Sequence, residues 1–150
     1  MYVNCKEETL MDTQRMIEQL NYDLAGEYQA VISYNQYAAS VTEPYRHELG
    51  PFFRNEIPDE LGHAQYLADK IVALGGTPTV ESRLVTAQTD ARQMLEQVVQ
   101  YEEQAVRDYS QRVQQAKEFG DIGLQNRLET IVEDETQHLE ETRKLLKNWQ

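Results

Sequence analysis

This sequence of 150 residues is poor in glycine, proline and cysteine, and it has no long apolar run. With only 7 glycines and 4 prolines, few positions force a helix to end. The single cysteine, Cys5, excludes an internal disulfide and a cage of thiolate metal ligands. No stretch approaches the length of a membrane span and the first residues lack the apolar centre of a signal peptide, so we expect a cytoplasmic protein.

Positive charge is also scarce. The chain has 14 Lys and Arg against 26 Asp and Glu, which gives a formal net charge of −12 at pH 7. This balance excludes binding to nucleic acid through a basic surface, because phosphate contacts need clustered Lys and Arg. It suits a protein that handles cations, although solubility alone is an equally common reason for an acidic surface.

What the chain does contain is a helical pattern of apolar residues in four segments. Its length suits one domain, residues 1–150, with a full hydrophobic core. Gly75 and Gly76 end the second segment, Gly120 ends the third, and Asp121 can cap the fourth. The predicted helices span approximately residues 12–41, 46–75, 86–119 and 121–148.

The connections between these segments set the expected topology. Short links join the first helix to the second and the third to the fourth, so each pair forms an antiparallel hairpin. The link GGTPTVESRLVT, at 75–86, can reach roughly 40 Å, about the length of a 28-residue helix. We therefore expect an all-α four-helix bundle with a long crossover between the hairpins. Pro51 and Pro58 are compatible with two forms of the second helix: it either begins late or is kinked just before Asp59.

The two hairpins share one sequence pattern. EYQAVISY, which begins at Glu27, and EEQAVRDY, which begins at Glu102, lie 75 residues apart, and the same shift relates DELGH at 59–63 to DETQH at 134–138. Glu27 and Glu102 lie on apolar stripes, and each Glu-x-x-His pair points one way because residues three apart share a helix face. Folding the two copies together would collect four carboxylates and two imidazoles: Glu27, Glu60, His63, Glu102, Glu135 and His138.

Such a cluster needs compensating positive charge. Ionised carboxylates in an apolar core repel one another and lose hydration worth on the order of several kcal/mol per ion. The flanking stripes carry no basic residue except Arg112 near the edge, and protonating several carboxylates together needs large pKa shifts. Two divalent cations would balance the charge, and these donors suit Fe(II), Mn(II) or Zn(II). One Glu at an apolar position, or one Glu-x-x-His pair, is weak support for a metal site, but six matched residues are specific.

At these residues the sequence resembles the ferritin-like di-iron proteins, and bacterioferritins most closely, over about residues 12–147. The resemblance implies a ferritin-like bundle with two irons per chain. It assigns Glu27 and His63 to one iron with Glu60 bridging, and Glu102 and His138 to the other with Glu135 bridging.

The resemblance also implies two catalytic residues. Tyr34 matches a tyrosine beside the di-iron centre that could hydrogen-bond the ligands or donate an electron, while an ordinary buried tyrosine is an equally good interpretation. Asp59, which precedes the first Glu-x-x-His, would assist the access of iron or protons. Tyr109 is the repeat mate of Tyr34 and has weaker support.

The sequence departs from bacterioferritins in three respects, and one is the pair of prolines before Asp59, which makes the first part of the second helix atypical. Leu61 occupies the position of their haem-binding methionine, so we expect no haem of that kind. The chain ends at Gln150, directly after the fourth helix, without the short fifth helix of 24-subunit cages, so a 12-subunit shell becomes an alternative to a 24-subunit one. We interpret His47, in the first connection, as a surface histidine.

The sequence therefore predicts a ferroxidase that oxidises Fe(II) with O₂ or H₂O₂ and stores or detoxifies iron in a homo-oligomeric shell. A second interpretation is a non-storage di-metal enzyme of the same superfamily: a peroxidase, a manganese catalase or an oxygenase. A third is an interaction bundle without metal. No nucleic acid or membrane is expected as a partner.

Overall fold

The computed structural model describes residues 11–149, so Cys5 lies outside the described part. It contains four helices: α1 (Thr13–Ser40), α2 (Arg46–Ala73), α3 (Ala91–Phe119) and α4 (Ile122–Leu146). Within residues 11–149 there is no β-strand, and no helix is long and apolar enough to cross a membrane. The predicted all-α four-helix bundle is confirmed.

Aspartate side chains cap the N-termini of three of the helices. Asp12, Asp90 and Asp121 each accept a hydrogen bond from the backbone N–H three residues later, at 2.8, 2.9 and 2.9 Å. These caps satisfy backbone donors that the first turn of a helix leaves free. Asp90 also explains why α3 begins at Ala91, five residues later than its predicted start at 86.

The second helix differs from one of its two expected forms. α2 begins at Arg46, directly after the first connection, and runs without interruption through Pro51 and Pro58. The late start is therefore wrong. Gly75 follows the helix with φ of 89°, a left-handed backbone that glycine adopts without strain, as its position in the sequence predicted.

The crossover, residues 74–90, runs along α1 and is held there by amide side chains. Asn21 accepts a hydrogen bond from the backbone N–H of Thr79 at 2.7 Å and donates to the backbone oxygen of Thr77 at 3.1 Å. Near the other end of α1, Gln36 bonds both the N–H and the C=O of Gln88 at 3.0 Å. An extended segment without a strand neighbour thus obtains backbone partners from side chains.

Two apolar clusters fill the two ends of the bundle. One contains Met16, Leu20, Leu67 and Leu128, and the other contains Tyr37, Phe53, Met94 and Leu95. The residues of both clusters are buried, whereas Leu145 on the last turn of α4 is 39% exposed. The polar site lies between the clusters, at the middle of all four helices.

Candidate metal centre

The structure brings all six predicted side chains together in the interior. None of them is more than 8% exposed. Each comes from the middle of its helix, and each Glu-x-x-His pair faces inward from a single helix face, as the spacing of three requires.

These side chains form two overlapping groups that could each hold an ion. One oxygen or nitrogen atom from each member lies within 4.8 Å of the others in its group. Glu60 and Glu135 belong to both groups, as the bridging roles implied by the family resemblance require. The first group adds Glu27 and His63, and the second adds Glu102 and His138.

Both imidazoles present Nδ1 to the carboxylates. His63 Nδ1 lies 2.8 Å from Glu135 Oε1, 3.5 Å from Glu60 Oε2 and 3.7 Å from Glu27 Oε1. His138 Nδ1 lies 3.3 Å from Glu60 Oε1, 3.7 Å from Glu135 Oε2 and 3.8 Å from Glu102 Oε1. Each ring therefore faces one glutamate of its own helix and two from other helices.

The outer nitrogen of each imidazole meets a carboxylate from the opposite hairpin. His63 Nε2 lies 3.0 Å from Asp134 Oδ2, and His138 Nε2 lies 3.3 Å from Asp59 Oδ2. A carboxylate on one ring nitrogen fixes the orientation of the ring and leaves the other nitrogen for an ion. Each aspartate that precedes a Glu-x-x-His pair therefore contacts the histidine of the other hairpin.

One further carboxylate was missed by the sequence reasoning. Glu56 Oε2 lies 2.8 Å from His138 Nε2 and joins it and Asp59 in a third group of potential ligands. The repeat mate of Glu56 is the apolar Ile131, so the comparison of the two halves could not reveal it. Its position four residues before Glu60, on the same helix face, is the signal that was available.

Two buried tyrosines donate hydrogen bonds to the cluster glutamates of α3 and α1. Tyr34 donates to Glu102 Oε1 at 2.5 Å, and its repeat mate Tyr109 donates to Glu27 Oε1. Burial raises the pKa of both phenols well above the usual value, and the neighbouring glutamates raise it further. Both tyrosines therefore remain protonated donors, and each links the two halves of the repeat.

Arg112 is buried, which corrects its expected position near the edge. It is 1% exposed and forms a two-pronged contact with Asp23, Nε to Oδ2 at 2.7 Å and Nη2 to Oδ1 at 3.0 Å. Its Nη1 donates to Gln19 at 2.6 Å. Because Asp23 already balances its charge, Arg112 leaves the four glutamates of the cluster uncompensated.

The pKa values of the ionisable groups in the cluster shift in opposite directions. Burial and nearby carboxylates raise the pKa of Glu27 and Glu102 well above the usual range. Burial would raise the pKa of Glu135 as well, but its close contacts with Glu102, His138 and His63 lower it. Burial would lower the pKa of both imidazoles, yet the surrounding carboxylates raise it. In the absence of ions, protons thus supply charge that cations would otherwise supply.

Four buried atoms in this cluster have no hydrogen-bond partner: His63 Nδ1, His138 Nδ1, Glu60 Oε1 and Glu135 Oε1. His63 Nδ1 and Glu135 Oε1 are close enough for a hydrogen bond but lack its alignment. Buried polar atoms without partners are rare in folded proteins. Since all four converge between the same helices and offer nitrogen and oxygen donors, the residues fit divalent iron, manganese or zinc.

A cavity of about 350 Å³ leads to the cluster between α1 and α3. Four glutamates border it, two from these helices and two from α2 and α4: Glu27, Glu102, Glu60 and Glu135. The carboxylates are therefore buried but are adjacent to a space large enough for several water molecules.

A family model described as the ferritin-like domain matches residues 17–150. The bacterioferritin of Desulfovibrio desulfuricans is 33% identical over 127 residues, which cover 83% of this chain and 70% of that protein.

Two solved structures support the same relationship. A ferritin-like, diiron-carboxylate protein from Bacillus anthracis is 48% identical with a TM-score of 0.87, covering 89% of this chain and 96% of that one. The D. desulfuricans bacterioferritin, whose diiron site was described in different catalytic states, is 28% identical with a TM-score of 0.81. That match covers 89% of this chain and 78% of the bacterioferritin chain.

Proposed function

This chain belongs to the ferritin-like domain family, and on that premise we propose that it is a ferroxidase with a di-iron site inside each chain. The resemblance on which the sequence prediction was based is confirmed. The observation that carries the proposal is the convergence of four buried, unpartnered ligand atoms in the middle of the bundle.

The two groups of side chains suggest how the ions would be held. Glu60 and Glu135 would contact both ions, and each ion would also have one terminal glutamate and one imidazole, Glu27 with His63 and Glu102 with His138. Bound there, two Fe(II) ions would supply electrons to an oxidant such as O₂ or H₂O₂. Mn(II) or Zn(II) would suit the same donors as substitutes.

The residues around the ligands would position them and handle protons. Tyr34 would hold Glu102 in place through its hydrogen bond, and the family resemblance makes it the candidate electron donor. Asp59 would orient the imidazole of His138. Because Asp59 is 61% exposed, it can also exchange protons with solvent or assist the access of iron.

Storage would follow if chains assemble into a closed shell of 12 or 24 copies. Family membership supports a homo-oligomer, and the net charge of −12 would raise the local concentration of Fe(II) at the protein surface. The oxidised iron would then be deposited inside the shell as mineral.

The cavity between α1 and α3 favours a second candidate, a non-storage di-metal enzyme. Such a peroxidase, manganese catalase or oxygenase needs a route for a small substrate, and about 350 Å³ lies at the small end of ligand pockets. Size-exclusion chromatography separates the two functions. A mass of several hundred kilodaltons supports storage, whereas a monomer or dimer near 17.5 kDa per chain favours the enzyme.

The proposal is tested by anaerobic Fe(II) titration followed by exposure to O₂ or H₂O₂. We expect about two tightly bound ions per chain and rapid formation of Fe(III) after the oxidant is added. Protein purified without chelator that binds no iron under these conditions contradicts the di-iron assignment.

A further inference from the structure

Arg83, from the crossover, lies at the cavity between α1 and α3 and plays no part in the six-residue cluster. It is the one basic side chain among the described residues that line this cavity. Its backbone N–H donates to the carbonyl of Ala25 at 3.1 Å, which places the residue beside α1 in the turn that precedes Glu27.

The guanidinium of Arg83 is held against both helices that border the cavity. Nη2 donates to the carbonyl of Tyr22 on α1 at 2.8 Å, and Nη1 lies 3.4 Å from Asp108 Oδ2 on α3. The guanidinium carbon also lies 3.8 Å from the centre of the Tyr22 ring. Arg83 thus spans the gap between α1 and α3, while its Nε is buried without a hydrogen-bond partner.

Gly26 leaves room for this position. A Cβ atom added to Gly26 would lie 3.0 Å from the guanidinium carbon of Arg83, closer than most such contacts allow. The residue beside the ligand Glu27 is therefore one whose missing side chain leaves room for a positive charge.

The rest of the cavity wall mixes amide side chains with apolar and small residues. Four glutamine amides line it, from Gln29, Gln97, Gln100 and Gln104. Ala30 and Ala105, which are repeat mates one turn after Glu27 and Glu102, also border it. Amide groups can donate and accept hydrogen bonds with the water shell of an ion.

We propose that this cavity is the route by which hydrated divalent cations reach the cluster, and that Arg83 is a positioning residue at its mouth that limits their rate of access. The inference rests on the proposed metal-binding function. The four glutamates attract a cation, and Arg83 opposes it at the mouth with a charge that Asp108 only partly balances.

The test measures binding of Co(II), a coloured divalent probe, by anaerobic stopped-flow absorption in the full-length protein. Arg83→Gln should bind Co(II) several-fold faster than the parent at 0.01 M ionic strength, where charges act over about 30 Å. The difference should disappear near 1 M, where that distance is about 3 Å. Arg83→Lys retains the charge and should restore the parent rate.

A second variant tests the route itself. Ala105→Phe should fill part of the cavity and slow Co(II) binding several-fold, while the six ligands and the final stoichiometry stay unchanged. Arg143→Gln is the matched control for Arg83→Gln, because Arg143 also pairs with a carboxylate, Glu103, but does not line the cavity. Its binding rate should equal that of the parent.

The outcomes separate this inference from the proposed function. If the parent binds two Co(II) per chain but either Arg83→Gln or Ala105→Phe behaves like Arg143→Gln, cations enter elsewhere and the inference is wrong. If Arg83→Lys is as fast as Arg83→Gln, the charge is not what limits access, and the inference is again wrong. If the parent binds no Co(II), the proposed metal site itself fails.

Discussion

At the scale of single residues, Glu60 and Glu135 have a position that none of the other four side chains of the cluster shares. Each belongs to both groups of converging atoms, and each has one buried oxygen without a partner. The loss of either should therefore affect both ions, whereas the loss of Glu27 or Glu102 should affect mainly one.

Glu60→Ala should abolish rapid Fe(II) oxidation, because it removes the carboxylate that both groups share. The loss should exceed the roughly 10–100-fold that removal of an outer partner of a ligand costs. The metal-free variant should melt at the same temperature as the parent or higher, since a buried charge is gone. Stopped-flow oxidation assays and thermal melting measure the two effects.

Glu133→Ala is the matched control for this experiment, because Glu133 is an exposed glutamate near the cluster in sequence. Its oxidation rate should match that of the parent. Unimpaired oxidation in Glu60→Ala would refute the ligand assignment.

Asp59→Asn tests the carboxylate that orients His138. We expect metal affinity to fall by about 10–100-fold, because the ring would lose a charged partner at Nε2 while all six ligands remain. Competition for Co(II) against a coloured chelator measures this affinity. Asp134→Asn should have a similar effect through His63. Parent affinity in both variants would mean that the aspartates do not position the rings.

At the scale of elements, the helix starts are set by local chemistry and one of them is coupled to a neighbouring helix. Asp121 caps α4 through the N–H of Leu124 and also pairs with Lys70 near the end of α2. The hydrogen bond from Lys70 lowers the pKa of the Asp121 carboxyl below its usual value of 3.8. The hairpins are thus joined at this end of the bundle by a capping residue.

Asp121→Ala should lower the free energy of unfolding by about 1 kcal/mol through loss of the cap. Because the folded pKa is depressed, the contribution of the charge is present above the unfolded pKa and is lost as pH falls through the folded value. Urea unfolding at pH 7 and near pH 3 should therefore show a larger difference between parent and Asp121→Asn at the higher pH. A difference that is equal at both pH values would exclude the charge effect.

At the scale of the whole molecule, apolar packing on both sides of the cluster should allow the bundle to fold without ions. Two apolar clusters fill the ends of the bundle, and the raised pKa values of Glu27 and Glu102 allow protons to reduce the negative charge between them. Metal is therefore expected to add stability to a bundle that is already folded.

Metal-free protein should keep its helical circular dichroism and should gain stability when Zn(II) or Mn(II) is added. At 100 times the dissociation constant, the gain is about 2.7 kcal/mol, seen as a higher melting temperature. Glu60→Ala provides the control, since its gain should be much smaller. A parent protein that unfolds on metal removal would show that the ions, and not the apolar clusters, hold the bundle together.

Most of the fold could be predicted from the sequence for reasons that are local. Apolar spacing near 3.6 residues marks helices, Gly75 and Gly120 end two of them, and the 75-residue repeat pairs the side chains of the cluster. The start of α3 was predicted too early because Asp90, its cap, lies within a polar stretch where periodicity is weak.

What the sequence by itself determined is the set of six side chains and the four helices that carry them, because helical spacing fixes which residues share a face. Only the tertiary structure decided what surrounds that set. Several contacts join segments that lie far apart in the chain. They are the contact of Glu56 with His138, the contact of Arg112 with Asp23, the contacts of Asp59 and Asp134 with the histidines of the opposite hairpins, and the contact of Arg83 with Asp108 at the cavity. Such contacts depend on how the helices pack, which spacing within one helix cannot specify.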